Sequence, residues 1–383
     1  MSEESHTYDA SMIVVLEGLE AVRKRPGMYV GSVGERGLHQ LVLDAAERAL
    51  NEILGGTASR VEITLTADGG VRVADDGTGL AVGYAGHGDG PPLESRLTEL
   101  WCGAPPADRR LLSGGNFGGG MAVVNALSSR LTAEVCRDGA RWVLEYEQGV
   151  PVGVPARTGP AEASGTVITF RPDAEIFETL ELSFDTLAAR FRELSFLNRE
   201  VDITLADDRD PAAPRAVRFR FPGGPRDYVA QQSAPLHPDV ISFEREYAEM
   251  EGTVEVALRW CDSSDERIAS YANSLPTTGG GTHELGFRDG LAAALAAYAR
   301  EHRLLSPSDP DFTPTQLGAG LTAVVSVKLD RPEYEGATRD RLGNGPVRTC
   351  VTEAVRDHLT AWLRANPAQA TTVLARVSTA ARP

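Results

Sequence analysis

The chain contains very little lysine. Its 383 residues include 38 basic side chains, and only Lys24 and Lys328 among them are lysines. An arginine at a position where a lysine is expected therefore says little about function. Acidic residues outnumber the basic ones, and the net charge is −16. A protein that holds nucleic acid through a general positive field is thereby disfavoured, and we expect any DNA contact to be weak or indirect.

Cysteines and long apolar runs are also scarce. The four cysteines are scattered, without a CxxC pair and without histidines at metal-ligand spacing, which predicts buried thiols rather than a zinc site. No stretch of about 18 apolar residues is present, so no membrane span is expected. The polar, acidic start MSEESHTYDASM lacks the basic-then-apolar order of a secretory signal. We therefore expect a cytoplasmic protein.

The remaining pattern mixes helices and strands. Apolar residues at helical spacing predict a helix over 37–54, and alternation around Asp68-Gly69-Gly70 predicts a β-hairpin. Strict βαβ alternation is lacking, so the predicted fold class is α+β. The Pro- and Gly-bearing segment around 211–225 is predicted to be a linker. Further helices are predicted at 13–23, 190–198, 283–300 and 347–365, and further strands at 131–136, 141–147, 166–170, 253–260, 267–272 and 321–329.

The sequence Asp75-Asp76-Gly77-Thr78-Gly79 follows the second strand of the hairpin. A carboxylate at a strand end can accept a hydrogen bond from an exocyclic amino group, and glycines allow a planar base to approach the backbone. This pattern predicts a base-binding turn. By itself, a β-turn or a calcium-like loop explains it equally well.

A second signal is the glycine-rich segment 113–120, which directly precedes an apolar helical pattern. Backbone N–H groups in such a loop can hold phosphate, although the sequence does not match a P-loop. A flexible linker is the alternative.

Charged residues on the predicted helix 38–54 are a third signal. By default these charged side chains form a solvated helix face. If the face lines a cleft instead, one of them could act as a general base.

These signals occur in the order of the GHKL ATPase superfamily, and the chain resembles the ATPase region of the type IIA topoisomerase family, in particular that of gyrase B and its topoisomerase IV counterpart. The resemblance covers nearly the whole chain. It is carried by LEGLEAVRKRPGMYVG (16–31), VVNALS (123–128), FRELSFLN (191–198), GGGTHELGFRDGL (279–291) and AVVSVKLDRPEYEGATRDRL (323–342).

The resemblance implies a GHKL (Bergerat) ATP-binding α/β sandwich at 1–218, including an N-terminal dimerisation arm, and a ribosomal-S5-like transducer domain at 219–383. It also implies a homodimer that closes on nucleotide binding and a gyrase or topoisomerase subunit as a possible partner. This sequence ends where a transducer would end, so we expect no DNA cleavage by this chain alone. A natural stand-alone gene and a fragment of a longer one are both open, and the altered site described below favours a divergent stand-alone paralogue.

The resemblance also implies a set of nucleotide-binding residues. Asp75 matches the adenine-binding aspartate, Thr166 the threonine that shares its bound water, and Arg339 the transducer lysine that reaches the γ-phosphate. Tyr8 and Ile13 match the exchanged arm. The full set of predicted ATP contacts is Asp75, Gly77, Gly79, Gly114, Gly115, Gly118, Gly119, Gly120, Thr166, Arg137, Glu52 and Tyr8.

The positions nearest the chemistry differ from the family pattern; the predicted catalytic set is Asp44, Arg48 and Arg339. Asp44 stands where the family has a catalytic glutamate, and its shorter side chain withdraws the carboxylate by about 1–1.5 Å, a displacement that can slow a reaction about 100-fold. Arg48 stands where the family has a Mg²⁺-binding asparagine. A guanidinium has no acceptor for a metal, so no metal ligand is assigned. Arg48 is expected either to pair with Asp44 one turn away or to contact the phosphates.

Three functions remain open at this point. The first is a slow or unconventional ATPase that uses ATP without ordinary Mg²⁺ ligation. The second is a hydrolysis-deficient, nucleotide-responsive dimer acting as a gyrase partner, decoy or antibiotic self-protection protein. In the third, the pocket serves another ligand or another ATP-dependent reaction. Thr78, in place of a family arginine, is a change that would alter antibiotic contacts.

Overall fold

The computed structural model describes residues 18–82, 92–100, 108–112, 120–232, 234–336 and 338–379. It consists of two β-sheets with packed helices, which confirms the α+β class. The helices are α1 (Gly18–Lys24), α2 (Gly27–Val30), α3 (Glu35–Leu54), α4 (Leu93–Thr98), α5 (Gly120–Ala126), α6 (Phe184–Leu197), α7 (Pro225–Ala230), α8 (Thr282–Glu301), α9 (Pro314–Gly318), α10 (Gly345–Ala365) and α11 (Pro367–Thr379). The strands are β1 (Val61–Leu65), β2 (Val71–Asp75), β3 (Ser128–Arg137), β4 (Ala140–Glu147), β5 (Val150–Pro151), β6 (Ala156–Pro160), β7 (Gly165–Pro172), β8 (Ile203–Asp207), β9 (Arg215–Phe219), β10 (Ile241–Tyr247), β11 (Gly252–Trp260), β12 (Arg267–Ala272), β13 (Leu275–Pro276), β14 (Leu321–Leu329), β15 (Tyr334–Glu335) and β16 (Arg341–Leu342).

The first sheet has nine strands in the order β5-β4-β3-β7-β2-β1-β8-β9, with β6 also paired to β4. The predicted hairpin is present as the antiparallel pair of β1 and β2. On its other side β1 pairs with β8 in parallel, whereas β2 pairs with β7 in antiparallel. The β2–β7 ladder sets Asp75 directly opposite Thr166. Two residues far apart in the sequence thereby become neighbours.

Helix α3 covers this sheet and carries polar residues toward it. Most of its apolar positions recur at helical spacing and are buried, so the helix packs on β1, β2 and β7. Asp44 and Arg48 lie between these apolar positions and are buried with them. The buried apolar residues of α3 are Leu38, Leu41, Val42, Ala45, Ala46, Ala49, Leu50, Ile53 and Leu54.

The second sheet has the order β10-β11-β14-β12-β13 and is covered by the paired helices α8 and α10. Glycines allow these helices to approach closely. A Cβ at Gly286 would lie 2.4 Å from the carbonyl oxygen of Arg348, and one at Gly290 would lie 2.6 Å from that of Thr352. Any larger residue would push the helices apart.

The prediction of a linker at 211–225 is wrong. Residues 215–219 form β9, which pairs with β8 in antiparallel, and Pro225 begins α7. Pro214 and the Gly223-Gly224 pair bound these elements, so turn residues at both ends of a short strand gave the appearance of a linker. The two sheets divide the chain between Phe219 and Ile241, and the exact domain boundary stays a prediction.

Polar side chains join the two halves. Arg190 of α6 donates from Nη2 to the carbonyl oxygen of Ser274 at 2.8 Å. Asn198 donates to the Ser274 hydroxyl at 3.2 Å and accepts from Lys328 at 2.9 Å. Within the part of the chain that the structure describes, every helix is too short or too polar to traverse a bilayer.

Candidate functional site

The turn after β2 is built around Asp75 and Thr166. Asp75 is nearly inaccessible to solvent, and its Oδ1 accepts from the backbone N–H of Gly77 at 2.9 Å. Thr166 is fully buried, and its hydroxyl oxygen accepts from the N–H of Leu80 at 3.1 Å. The two ends of the turn are therefore fixed to β2 and β7, and the turn presents a preformed polar edge.

Gly79 closes the turn against β3. Its φ is +78°, in the left-handed region, and a Cβ there would lie 2.4 Å from the carbonyl oxygen of Cys136. Only glycine meets both conditions without strain. Arg137, the next residue on β3, donates from Nη1 to the Gly79 carbonyl at 3.2 Å. Arg137 thus lies at the turn, and its expected place at the mouth of a ligand pocket stays a prediction.

Asp76 braces the turn from the other side. Its Oδ1 accepts from the N–H groups of Ser59 at 2.8 Å and Arg60 at 3.0 Å. Partial burial works against ionisation, but these hydrogen bonds outweigh it and lower the pKa of Asp76. Of the two adjacent aspartates, Asp76 therefore serves the fold, and Asp75 is the one that faces α3.

Asp44 is a buried acid. Gln40, one helical turn earlier, donates from Nε2 to Asp44 Oδ1 at 2.7 Å. Burial raises the pKa of Asp44 to about 8, the hydrogen bond from Gln40 opposes this, and the nearby Glu47 adds to it. The group is then mostly a neutral acid at pH 7, and it must lose a proton before it can act as a base. Sequence reasoning missed Gln40, although its spacing of four residues from Asp44 was the available signal.

Arg48 forms a buried ion pair with Asp75. Its Nη2 lies 2.6 Å from Asp75 Oδ2, and the two side chains are 7% and 1% exposed. The expected pair between Arg48 and Asp44 is wrong. The arginine side chain is long enough to span from α3 to β2, where it pairs with Asp75, whereas the hydrogen bond to Asp44 comes from Gln40. The arginine therefore engages the carboxylate assigned to adenine.

The last turn of α3 has a different use. Glu52 accepts from the hydroxyl of Thr57 through both its side chain and its carbonyl oxygen, at the turn that follows the helix. Asn51 exchanges two hydrogen bonds with the backbone of Leu112, at 2.9 and 2.8 Å. Asn51 thus holds the segment 108–112 against α3, and the contact of Glu52 with a nucleotide stays a prediction.

Arg339 lies at a cavity of about 280 Å³ between α3 and the second half of the chain. Gln40 and Glu47 of α3 line the same cavity, so Arg339 and the partner of Asp44 face one space. Arg339 has a φ of +53°, which is uncommon for a residue with a side chain. The remaining lining residues are Arg36, Leu43, Leu50, Leu112, Arg190, Leu194, Asn273, Ser274, Leu275, Pro276, Thr278, Thr338 and Asp340.

Part of the predicted site lies outside the described residues. This applies to the arm residues Tyr8 and Ile13 and to most of the glycine segment, whereas Gly120 is the first residue of α5. Among the residues that the structure does describe, no group of histidine, cysteine and carboxylate side chains is arranged to hold a metal ion. The glycines outside the described residues are Gly114, Gly115, Gly118 and Gly119.

Comparison with known proteins identifies this arrangement. The sequence model of DNA gyrase B matches residues 224–383. The novobiocin-resistant gyrase B protein of Streptomyces niveus is 42% identical over 394 residues, which cover 98% of this chain and 58% of that protein. The solved 43K ATPase domain of Thermus thermophilus gyrase B, in complex with an aminocoumarin, is 31% identical with a TM-score of 0.77, covering 95% of this chain and 94% of that one. The chain belongs to the DNA gyrase B family.

The similarity extends to topoisomerase IV. The ATP-binding domain of that enzyme from Francisella tularensis, in complex with a small-molecule inhibitor, is 30% identical with a TM-score of 0.73 and covers 96% of this chain and 98% of that one. The gyrase B resemblance inferred from the sequence motifs is thus confirmed, as is the fold of the ATPase region. This gyrase B family member spans 58% of the Streptomyces niveus relative.

Proposed function

We propose that the chain binds ATP or a related nucleotide at the Asp75 turn and hydrolyses it slowly. The observation that carries the proposal is the buried pairing of Asp75 and Thr166 on adjacent strands, closed by Gly79. This edge offers a carboxylate and a hydroxyl to a base, and Gly79 holds the turn that carries them against β3. Relatives of this fold are an ATPase domain and an ATP-binding domain.

Slow hydrolysis follows from the state of Asp44. A carboxyl with a pKa of about 8 is ionised in only about one molecule in ten at pH 7. Its side chain is also shorter than the glutamate that the family resemblance implies. Both effects leave little base in position to activate water.

Mg²⁺ does not fit position 48. A magnesium ion requires oxygen ligands in octahedral geometry, and Arg48 supplies only N–H donors and a positive charge. The guanidinium suits an anion instead, since it can donate to phosphate oxygens. We therefore assign Arg48 and Arg339 to the phosphate chain, and assign no side chain at position 48 to a metal.

The test is to titrate ATP into the full chain by calorimetry, with and without Mg²⁺, and to follow phosphate release in the same samples. We expect binding that is indifferent to Mg²⁺ and a low rate of phosphate release, which falls further in Asp44→Ala. Absence of ATP binding in both conditions would refute the proposal.

A second candidate is a nucleotide-responsive dimer without turnover, acting as a partner of another gyrase chain. The Arg48–Asp75 ion pair favours it, because it engages the base-binding carboxylate and so makes productive binding harder. The two candidates differ in one measurement. Phosphate release that cannot be distinguished from that of Asp44→Ala, together with nucleotide-dependent dimer formation by light scattering, supports the second over the first.

A further inference from the structure

The guanidinium of Arg48 is a buried cation with incomplete hydrogen bonding. Nη2 donates to Asp75, but Nε and Nη1 are buried without a hydrogen-bond partner among the described residues. Buried polar atoms nearly always have a hydrogen-bond partner in folded proteins, and leaving a charged donor without one costs the most free energy. Two unsatisfied donors on one side chain that is 7% exposed point to an acceptor-bearing ligand.

Each oxygen of the Asp75 carboxylate already accepts a hydrogen bond. Oδ1 accepts from Gly77 and Oδ2 from Arg48, and both contacts are shorter than 3 Å. A base that donates to Asp75 Oδ2 must therefore share that oxygen with a buried internal cation. If Arg48 is displaced by an uncharged ligand, it loses its anion and receives none in exchange, which is strongly unfavourable for a buried charge.

The side chains near Arg48 on α3 do not offer an equivalent partner. Asp44 is bonded to Gln40 and is predominantly neutral, and Glu52 accepts from Thr57 at the helix end. Glu47 lines the neighbouring cavity, together with Gln40 and Arg339. A ligand that brings its own anion, in contrast, can accept from all three nitrogen atoms of Arg48.

We infer that Arg48 makes the site selective for ligands that carry a phosphate chain, and that it excludes uncharged nucleosides and bases. The inference rests on the proposed function, because it concerns the same pocket. Phosphate draws the guanidinium away from Asp75, and the freed carboxylate then accepts from the base. The anionic part of the ligand is thus required for recognition of the base.

The first test compares ATP with adenosine on the full chain by calorimetry. Wild type binds ATP and shows no measurable heat with adenosine. In Arg48→Ala, Asp75 is free, and we expect adenosine to bind at least about tenfold tighter than in wild type, which corresponds to one charged hydrogen bond. Arg72→Ala is the matched control, since Arg72 lies on β2 in a surface pair with Glu62 and its loss leaves both affinities unchanged.

The second test needs no substitution and applies even where Arg48→Ala does not fold. Adenosine is titrated into wild type in the presence of saturating inorganic tripolyphosphate. If phosphate releases Asp75, tripolyphosphate tightens adenosine binding, and adenosine tightens tripolyphosphate binding by the same factor.

The outcomes separate this inference from the proposed function. If wild type binds adenosine as well as ATP, or if neither Arg48→Ala nor tripolyphosphate changes adenosine binding, the selectivity inference is wrong while nucleotide binding stands. If ATP, adenosine and tripolyphosphate all fail to bind wild type, the proposed function itself is wrong.

Discussion

The buried acid of α3 leads to a prediction about stability. Replacing Asp44 by asparagine keeps its shape and an oxygen for the hydrogen bond from Gln40, but removes the possibility of ionisation. The rise in the pKa of Asp44 from 3.8 to about 8 corresponds to an upper limit of about 6 kcal/mol for ionising it in the folded chain, at about 1.4 kcal/mol per pKa unit. Relaxation and water entry reduce such costs, so we expect Asp44→Asn to gain about 2–4 kcal/mol at pH 9.

The sign follows from proton binding. Between about pH 4 and pH 8 the folded chain keeps the proton on Asp44 and the unfolded chain has lost it. Wild-type stability therefore decreases as pH rises through this window and levels off above it. The gain from Asp44→Asn is small at pH 5, increases to about pH 8, and then stays constant.

Calorimetric unfolding of both proteins from about pH 3 to pH 9 measures this gain. Asp76→Asn provides a control of opposite sign, because the pKa of Asp76 is lowered by hydrogen bonds to its ionised form. That variant is less stable than wild type at pH 7, and the difference shrinks as pH falls below about 4. A gain for Asp44→Asn that does not grow between pH 5 and pH 8 would contradict a buried neutral acid at this position.

Three further predictions concern activity and packing. Slow phosphate release by wild type increases with pH and levels off above about 8 as Asp44 ionises, and a pH-rate profile flat across this range contradicts its role as base. Gly79→Ala is expected to lose at least about 2 kcal/mol of unfolding free energy in thermal unfolding, because the new Cβ is strained and clashes with β3. Gly69→Ala is the control: Gly69 has a similar φ but open space around it, so the loss is only about 1 kcal/mol. Equal losses in the two variants would exclude the clash. Arg190→Ala removes the hydrogen bond to the Ser274 carbonyl and is expected to lose about 1–2 kcal/mol of unfolding free energy. We expect limited proteolysis between the two halves of the chain to become more rapid. An unchanged digestion pattern would contradict a role of Arg190 in joining them.

The regular elements were predictable from local pattern. Helix α3 and the β1–β2 hairpin follow from periods of 3.6 and 2 in their apolar residues, with turn residues at Gly55 and Gly69. The segment 211–225 was wrongly predicted to be a linker. Its turn residues lie on both sides of a strand that is too short to show a clear alternation of apolar and polar residues. Its strand character depends on pairing with β8, which local sequence does not encode.

The candidate site was predictable only in part. The Asp75 turn and Thr166 could be assigned through the family motif, and the register of β2 and β7 brings them together. The partner of Arg48 could not be assigned, since Asp44 is one turn away on the same helix, whereas Asp75 is 27 positions later. The reach of the arginine side chain and the packing of α3 on β2 bring Arg48 to Asp75, and neither is a local property of the sequence.

The parallel pairing of β1 has a consequence for synthesis on the ribosome. Val61 lies opposite Ile203, so the hairpin of β1 and β2 emerges long before the strand that covers its outer edge. During that interval the nascent chain presents an open row of backbone donors and acceptors beside apolar side chains, which invites pairing with other chains. The interval during synthesis between β1 and β8 is therefore the time at which this protein is most prone to pair wrongly with other chains. The length of that interval depends on the order of the strands in the sequence and not on the stability of the folded sheet.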